Sequence, residues 1–480
     1  MTKVSHCLRS VFLGLLLASC LTQFSFGAES AAADSSASHQ SSDGAQPAGQ
    51  VSPKQPDSAA DQNSPGPLDI IQGTNPAVPW PMFRQQPSHI GFNGFERTIS
   101  KANVQNLALA WVGVMGDLVT ESSPAVLNGV VYIGSFDGRL YAFNANGCGS
   151  DVCQPLWSGA TENDITSSPA VTNGVVFVGS ADHKLYAFAA NGCGKSNCSP
   201  LWVGPTNGAI DSGPVVTPTT VYVGSEDHNL YAFPTGGCGH ATCQPLWSVQ
   251  TAGGVNSSPA LVNNVLYFGS QDGKLYAVDA RGCGQQVCQP LWTAQVGSMI
   301  FASSPAVAGG VVYIASFNEL TTTDSRLYAF NANGCGQMTC QPLWTAPAGD
   351  FVQSSPAVAK GIVYIGSGDD LMYAFNANGC GQPTCNFLWR GEAVGFQAAL
   401  LSAPAVANGL VYIGENNGMV EIFDADGCGQ SICLPVNQLR ISNEPIVSSS
   451  PTVVNGTVYI GSADQLQPPI GRLYVYKLGR

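Results

Sequence analysis

The sequence contains little charge, and basic residues are especially scarce. Only 10 % of its 480 residues are charged, with 18 Lys and Arg against 31 Asp and Glu, so the formal net charge is −13. A surface that binds nucleic acid needs clustered Lys and Arg side chains. We therefore expect no nucleic-acid partner for this chain.

The sequence also lacks a hydrophobic run long enough to span a membrane. The apolar stretch from Val11 to Ala18 follows Lys3 and Arg9, an order typical of an export signal, which we place at residues 1–28. Two processing routes stay open: cleavage near the end of this segment, or lipidation of Cys20, whose context LASC resembles a bacterial lipobox. We expect an exported bacterial protein that is periplasmic, secreted or anchored to the outer membrane by lipid.

Residues 29–78 contain few side chains that could build a core. Ser, Ala, Asp, Gln and Pro dominate this segment. Such a composition buries too little apolar surface to offset the entropy lost on ordering. We predict a disordered linker here, followed by one folded domain over residues 79–480.

Glycine and proline are abundant, with 55 and 31 residues, and they mark an internal repeat. In the first repeat the stretches SSPAVL, VVYIGS, LYAFNA and PLWSG predict four short strands. Asn128-Gly129 and Asp137-Gly138 between them indicate two-residue hairpin turns, which need positive φ at both positions. Four-stranded units of this length are typical of β-propeller blades. The repeats are marked by a Ser-x-Pro element whose proline is Pro124, Pro169, Pro214, Pro259, Pro305, Pro356, Pro404 and Pro451.

The number of strands predicts how the ring closes. The eighth repeat ends at Arg480 without a fourth strand, while a spare strand-like segment, LALAWVGV from Leu107 to Val114, precedes the first repeat. We therefore predict an all-β, eight-bladed propeller of four-stranded antiparallel blades, closed by this N-terminal strand. Closure removes the exposed edges that an open array would leave.

Cysteines after the signal segment occur only as Cys-x4-Cys pairs in the connection to the fourth strand. In an exported chain, such pairs favour local disulfides. Zinc is the alternative, but it needs four ligands, and only His240 lies inside one of these loops. A redox role is a further alternative, which the absence of basic neighbours disfavours. The pairs are Cys148 and Cys153, Cys193 and Cys198, Cys238 and Cys243, Cys283 and Cys288, Cys335 and Cys340, Cys380 and Cys385, and Cys428 and Cys433.

The end of each repeat resembles the tryptophan-docking (PQQ) repeat of the quinoprotein alcohol dehydrogenase family. Ala142, Gly147 and Trp157 match that pattern, whereas Asn144 and Asn146 replace its Asp and Thr. The segment WPMFRQQPSHIGFNGF also resembles the lead-in to the first blade of that family. The resemblance implies a propeller, but the family includes enzymes, assembly lipoproteins of the outer membrane and sensors, so it does not decide the activity.

Departures from the repeat are the candidate binding residues, because irregular loops on a regular scaffold often carry function. Two loops between second and third strands are longer than the others, FNELTTTDSR and ADQLQPPIGR, and the link RGEAVGFQAALLSAP is long and apolar. We predict a binding face that includes Glu319, Asp324, Arg326, Phe396, Gln465 and Arg472.

Three other groups of polar residues have simpler structural explanations. We expect His183 and His228 to replace the glycine of a turn, since His tolerates the left-handed region. The aspartates that recur in these turns, Asp137 among them, would make the side-chain hydrogen bonds that such turns need. The lead-in residues Trp80, Arg84 and His89 would pack across the ring.

The function predicted from the sequence is an exported, non-catalytic propeller scaffold that binds a protein, a peptide or a cell-envelope polymer. We expect a monomer with no cofactor, no metal and no catalytic residues. The first alternative is a dehydrogenase that uses pyrroloquinoline quinone and calcium, with Glu319 or Asp324 as the base; by resemblance such enzymes often contain a Cys-Cys disulfide, a dipeptide that this sequence lacks. The second alternative is a sensor of a small ligand.

Overall fold

Each repeat folds into one sheet of four antiparallel strands, and successive sheets form the blades of an eight-bladed β-propeller. The computed structural model describes residues 79–316, 325–395, 399–441, 449–464 and 470–479. First strands of neighbouring blades contact one another and therefore surround the central axis. The predicted fold is confirmed. Among the described residues, no helix has the length and hydrophobicity needed to cross a bilayer.

Strands are numbered here from the axis outwards, and blades in chain order. The first strands are Ala125–Leu127, Ala170–Thr172, Val215–Val216, Ala260–Val262, Ala306–Ala308, Ala357–Ala359, Ala405–Ala407 and Thr452–Val454. The second strands are Val130–Ser135, Val175–Ser180, Thr220–Ser225, Val265–Gly269, Val311–Ser316, Ile362–Gly366, Leu410–Gly414 and Thr457–Asp464. The third strands are Arg139–Asn144, Lys184–Ala189, Asn229–Pro234, Lys274–Asp279, Arg326–Asn331, Leu371–Asn376, Met419–Asp424 and Ile470–Leu478. The fourth strands are Trp157–Ala160, Trp202–Pro205, Trp247–Gln250, Trp292–Gln295, Trp344–Pro347, Trp389–Glu392, Asn437–Arg440 and, for blade 8, Leu107–Val114.

The predicted closure is present in blade 8. Leu107–Val114 pairs antiparallel with Ile470–Leu478, from Leu107 opposite Leu478 to Val114 opposite Arg472. A 3₁₀ turn, Val104–Asn106, immediately precedes this strand. The N-terminal part of the domain therefore supplies the outer strand of the last blade.

The hairpin turns follow the sequence prediction in one case and differ in the other. Asn128 and Gly129 both have positive φ, 51° and 77°, as a two-residue turn requires. At the second turn only Gly138 has positive φ, at 71°. Asp137 instead uses its carboxylate, whose Oδ1 accepts a hydrogen bond from the backbone N–H of Arg139. Side-chain bonding therefore replaces the second left-handed residue.

The cysteine loops pair with the preceding blade, which the sequence did not predict. A residue pair of the blade 2 loop, Asn197–Cys198, lies parallel to Ser158 and Gly159 in the fourth strand of blade 1. Each of the seven loops repeats this contact. The fourth strands of blade 8 and of blades 1 to 6 therefore each gain a short parallel neighbour. The loop strands are Val152–Cys153, Asn197–Cys198, Val287–Cys288, Thr339–Cys340 and Ile432–Cys433, with single bridges at Thr242 and Thr384.

A tryptophan docks on a glycine at each of these contacts. The ring of Trp157 in blade 1 lies against Gly192 of the blade 2 loop, where an added Cβ would be 2.6 Å from Cδ1 of the ring. Gly192 also has φ of 75°, so glycine is needed there for space and for backbone conformation. Buried Cys198 packs in the same cluster as Trp157. The same contact recurs at Trp111, Trp202, Trp247, Trp292, Trp344 and Trp389.

An extended segment, residues 80–93, follows the first strands around the inside of the ring; we name it the inner belt. Trp80 pairs with Val126 of blade 1 through two backbone hydrogen bonds. Further along, carbonyl groups of the belt accept N–H bonds from the first strands of blades 2, 4, 5, 6 and 7. Its last residues, Phe92–Asn93, form a strand parallel to the first strand of blade 7, and Asn93 also donates to the carbonyl of Val453 in blade 8.

Candidate functional site

The predicted binding-face residues are only partly described by the structure. Glu319, Asp324, Phe396 and Gln465 lie outside the described residues, as do Cys20, the export signal and the linker. Arg326 and Arg472 are half-buried near the starts of the third strands of blades 5 and 8. The starts of these strands lie on the face of the propeller that carries the turns between second and third strands. We call this the turn face.

The predicted cysteine pairs are all joined as disulfides, and each one closes a loop within its own blade. The first cysteine of each pair is exposed or nearly so, whereas the second is buried against the tryptophan of the preceding blade. These loops lie on the face opposite the turn face. The disulfides join Cys148 to Cys153, Cys193 to Cys198, Cys238 to Cys243, Cys283 to Cys288, Cys335 to Cys340, Cys380 to Cys385 and Cys428 to Cys433.

The recurring aspartates and histidines of the turn face have structural roles in the described residues. His183 and His228 are exposed and both have φ of 70°, so each occupies the left-handed position of its turn. The Asp137 carboxylate accepts a hydrogen bond from the Tyr141 hydroxyl, which in turn accepts the N–H of Gly116 in the preceding link. The same Asp–Tyr bond recurs at Asp182, Asp227, Asp272 and Asp369.

A serine completes this arrangement, which we call the link anchor. Ser135 ends the second strand of blade 1, and its hydroxyl donates to the carbonyl of Asp117 in the link from blade 8. Burial and the bond to Asp137 raise the pKa of Tyr141 well above its usual value, so the phenol keeps its proton and goes on donating. In blades 1 to 4 and in blade 6, the link anchor of serine, aspartate and tyrosine thus fastens the incoming link to the blade it enters.

Serine hydroxyls also line the central channel. The second residue of the Ser-x-Pro element accepts a backbone N–H from the neighbouring blade; for example, the N–H of Ser123 donates to Oγ of Ser168 at 2.9 Å. Gly213 and Ala403 interrupt this ring in blades 3 and 7. The other members of the ring are Ser258, Ser304, Ser355 and Ser450.

Side chains of the inner belt fill the middle of the ring. Arg84 is 3 % exposed, and its guanidinium donates to the carbonyls of Pro404 and Pro356, at 2.6 and 2.5 Å, in blades 7 and 6. Its pKa falls to about 9 because burial disfavours the charge. His89 packs edge-on against Phe83, and burial followed by the charge of Arg84 lowers its pKa to about 3. The lead-in thus packs across the ring, as the sequence predicts.

The channel mouth on the turn face is the least uniform part of the described ring. The residue before each serine pair differs from blade to blade. Glu121 in blade 1 remains accessible to solvent, but desolvation by the surrounding protein, and then the charges of Asp211 and Glu226, raise its pKa to about 7. Asp211 also accepts a hydrogen bond from the Thr166 hydroxyl. In blades 1 to 7 these residues are Glu121, Thr166, Asp211, Asn256, Ala302, Gln353 and Leu401.

Among the blades whose second turn the structure describes, blade 7 alone replaces the link anchor, and reasoning from the sequence missed this. Glu415 stands where other blades have the serine, Asn417 replaces the aspartate and Glu421 replaces the tyrosine. Glu415 and Glu421 are both fully buried. Aligning the repeats column by column would have found the substitutions, because carboxylates at these two positions occur in no other repeat of the sequence.

The serine ring around the axis offers no acidic or amide side chain for the calcium-bound quinone of the dehydrogenase alternative, and Glu319 and Asp324 lie outside the described residues. Such a site needs acidic and amide side chains that converge, but the channel offers serine hydroxyls that already accept neighbouring N–H groups. Across the described part of the chain, no three His, Cys, Asp or Glu side chains lie together in a way that could hold a metal ion.

Comparison with known proteins agrees with this architecture. The family model described as outer membrane protein assembly factor BamB matches residues 114–192, 154–334 and 289–469. No curated protein sequence matches the chain. The crystal structure of BamB from Moraxella catarrhalis is 19 % identical and covers 77 % of this chain and 97 % of its own, with a TM-score of 0.56.

Solved enzymes share the fold as well. Quinohemoprotein alcohol dehydrogenase from Comamonas testosteroni is 13 % identical, covers 84 % of this chain and 81 % of its own, and has a TM-score of 0.61. A europium-containing methanol dehydrogenase is 12 % identical and covers 84 % of this chain and 99 % of its own, with a TM-score of 0.62. At these identities the likeness concerns the fold alone.

Proposed function

Because the chain belongs to the family of the outer membrane protein assembly factor BamB, we propose that it is a non-catalytic scaffold that holds a protein partner in the bacterial envelope. We further propose that it works on the periplasmic side of the outer membrane, reached by export and held there through Cys20. The single observation that carries the proposal is the contrast between a uniform framework and a variable channel mouth.

The framework is suited to presenting a surface rather than to moving. Cysteine loops join neighbouring blades, the N-terminal strand closes blade 8 and the inner belt contacts first strands around the ring. Because these contacts repeat, they leave few residues free to vary. The mouth position before each serine pair does vary, and variable residues on a rigid scaffold are the usual place for recognition.

The mouth also indicates the chemistry of the partner. On one side of the opening, the negative charges of Asp211 and Glu226 act on the carboxyl group of Glu121. A neutral or acidic segment would gain nothing there, whereas Lys or Arg side chains of a partner would be attracted. We propose that a basic segment of a protein partner docks at this side of the mouth.

A photo-crosslinking amino acid placed at Thr166 or Asn256 tests this proposal, with Asn197 on the opposite face as the matched control. In native host cells we expect both mouth positions, but not Asn197, to crosslink one and the same envelope protein. Glu121→Gln combined with Asp211→Asn should weaken that crosslink without changing the thermal midpoint. Equal labelling from Asn197, or no crosslink at the mouth, would contradict the proposal.

An activity assay separates the scaffold from the dehydrogenase alternative. We expect the full chain, incubated with pyrroloquinoline quinone and calcium, to show no quinone absorbance after desalting and no oxidation of alcohols or sugars. Retained quinone together with turnover would replace the scaffold by an enzyme. The localisation has its own test, since Cys20→Ser should release the protein from the membrane fraction.

A further inference from the structure

The blade 7 carboxyl pair lies between blades 6 and 7, away from the channel mouth. Glu421 is opposite Ile413 in the sheet, and Glu415 directly follows the end of that strand, two residues beyond Ile413, with its N–H still bonded to Met419, so both side chains emerge on one face. That face looks towards blade 6, because Ile413 contacts Gly366 there and the N–H of Val394 in the incoming link reaches Oε1 of Glu421 at 3.4 Å.

The hydrogen bonds of this pair are incomplete. Oε1 of Glu421 accepts a bond of 2.5 Å from the Gln438 amide, but its Oε2 has no partner. Both carboxylate oxygens of Glu415 are buried and also without a partner. Three oxygens that can only accept therefore lie out of water with no donor, which is costly for an ionised group.

The local charge is uncompensated as well. The groups that act on Glu415 are Glu421 and Asp370, both acidic, together with the Asn417 amide, and no cationic side chain in the described part of the chain acts on it. Burial, then a hydrogen bond with Glu421, and then the charge of Glu421 raise the pKa of Glu415 far above its usual value. A buried carboxyl pair of this kind persists only if it holds a proton or a cation.

We propose that Glu415 and Glu421 bind one hard divalent cation of the Ca²⁺ class between blades 6 and 7. Two adjacent carboxylates offer the oxygen ligands that such ions prefer, and carbonyl, amide and water oxygens complete their coordination. The cation takes over the task that the link anchor performs in blades 1 to 4 and in blade 6, namely fastening the incoming link to the blade. The site is structural and independent of the partner-binding mouth.

The repeat itself supplies the control variant. Glu415→Ser, Asn417→Asp and Glu421→Tyr together install in blade 7 the link anchor of Ser135, Asp137 and Tyr141 in blade 1. This triple variant is expected to fold, because blades 1 to 4 and blade 6 use the same residues in the same places. Glu415→Gln and Glu421→Gln remove one charge each and keep the side-chain size.

Calorimetric titration and thermal unfolding of chelator-treated full chain, with Ca²⁺ and then Mg²⁺ as the probes, test the site. We expect one Ca²⁺ per chain, a thermal midpoint that rises with Ca²⁺ concentration, and loss of both effects in either glutamine variant and in the triple variant. No binding at millimolar Ca²⁺ would overturn the proposal and assign the pair a shared proton. Unchanged binding in the triple variant would overturn it too, by placing the ion elsewhere.

Discussion

Seven junctions between blades are closed by a cysteine loop, whereas the junction between blades 7 and 8 is closed by the N-terminal segment. At the seven junctions, a tryptophan docks on the glycine of the next blade's loop. At the junction of blades 7 and 8 that tryptophan is replaced by Asn437, whose side chain donates to the carbonyl of Val104 at 2.6 Å. Gln105 donates to the carbonyl of Val436 beside it.

The comparison shows what the tryptophan is for. Blade 8 has no cysteine loop, because its outer strand comes from Leu107–Val114 rather than from a connection after the third strand. The fourth strand of blade 7 therefore faces no loop glycine of a following blade on which a tryptophan could dock, and the tryptophan is absent from that strand. The outer-strand tryptophan thus serves the loop of the following blade, and its own blade folds without it.

The largest effect should come from removing the N-terminal junction altogether. Deleting residues up to Val114 takes away the fourth strand of blade 8, the 3₁₀ turn and the inner belt, and leaves Ile470–Leu478 as an open edge. We expect loss of the folded monomer, measured by near-ultraviolet circular dichroism and size-exclusion chromatography. A monomer with an unchanged melting curve would contradict the closure.

Truncating the first residue of a fourth strand should lower the free energy of unfolding far more at a cysteine-loop junction than at the junction of blades 7 and 8. Trp202→Ala removes a buried aromatic side chain from its contact with Gly237, and we expect a loss of about 3–5 kcal/mol in the free energy of unfolding. Asn437→Ala removes one hydrogen bond and should cost about 1 kcal/mol. Chemical denaturation of both variants gives the difference, and equal costs would refute the assigned role of the tryptophan.

Two glycines of a single cysteine loop separate backbone conformation from the contact with tryptophan. Gly237 and Gly239 have φ of 74° and 81°, but an added Cβ would be 2.7 Å from the Trp202 ring only at Gly237. Gly239→Ala should cost about 1–2 kcal/mol through its backbone alone. Gly237→Ala should cost a further 1–3 kcal/mol or so from overpacking. Equal denaturation midpoints for the two variants would show that the Trp202 side chain moves to accommodate the added methyl group without a cost in stability.

The smallest effect should come from the surface ion pairs at the junction of blades 7 and 8. Lys101 lies 2.5 Å from Asp424 and 2.8 Å from Asp426, and its hydrogen bond lowers the pKa of Asp426. Lys101→Met should therefore cost less than about 1 kcal/mol, because these groups are exposed. A carboxylate with a lowered pKa stabilises the fold above its unfolded pKa and loses that contribution as the pH falls through its folded pKa.

Denaturation of Lys101→Met against pH and salt checks this. The difference from the unaltered protein should shrink below about pH 4 and in molar salt. Lys195→Met, in the blade 2 cysteine loop, is the matched control and should show neither dependence. A loss in the free energy of unfolding that does not change with salt would mean that the apolar stem of Lys101, rather than its charge, stabilises the junction.

Much of the ring could be predicted because short sequence patterns within each repeat indicate its strands and turns. The Ser-x-Pro spacing, the hairpin glycines and the spare strand at Leu107–Val114 define eight blades and their closure without any structure. The pairing of Cys198 with the preceding blade could not be predicted, since the sequence of a loop does not indicate which strand of a neighbouring blade it contacts.

Residues without a repeat were the hardest to place. The inner belt has no strand-like alternation, so the contacts of Arg84 with Pro356 and Pro404 were invisible in the sequence. Glu415 and Glu421 are visible as departures from the repeat, but only the register of their strands shows that they share one buried face.

The inner belt also determines when the protein can finish folding. Arg84 bonds to a carbonyl 320 residues later in the chain, and Asn93 to one 360 residues later. The inner belt therefore cannot complete its contacts, and Leu107–Val114 cannot pair, until blade 8 exists. Contacts across such sequence distances make folding slow, because the loop between them must close first. Closure of the ring thus waits for the last blade, and a chain that stops before blade 8 leaves Leu107–Val114 without its partner strand.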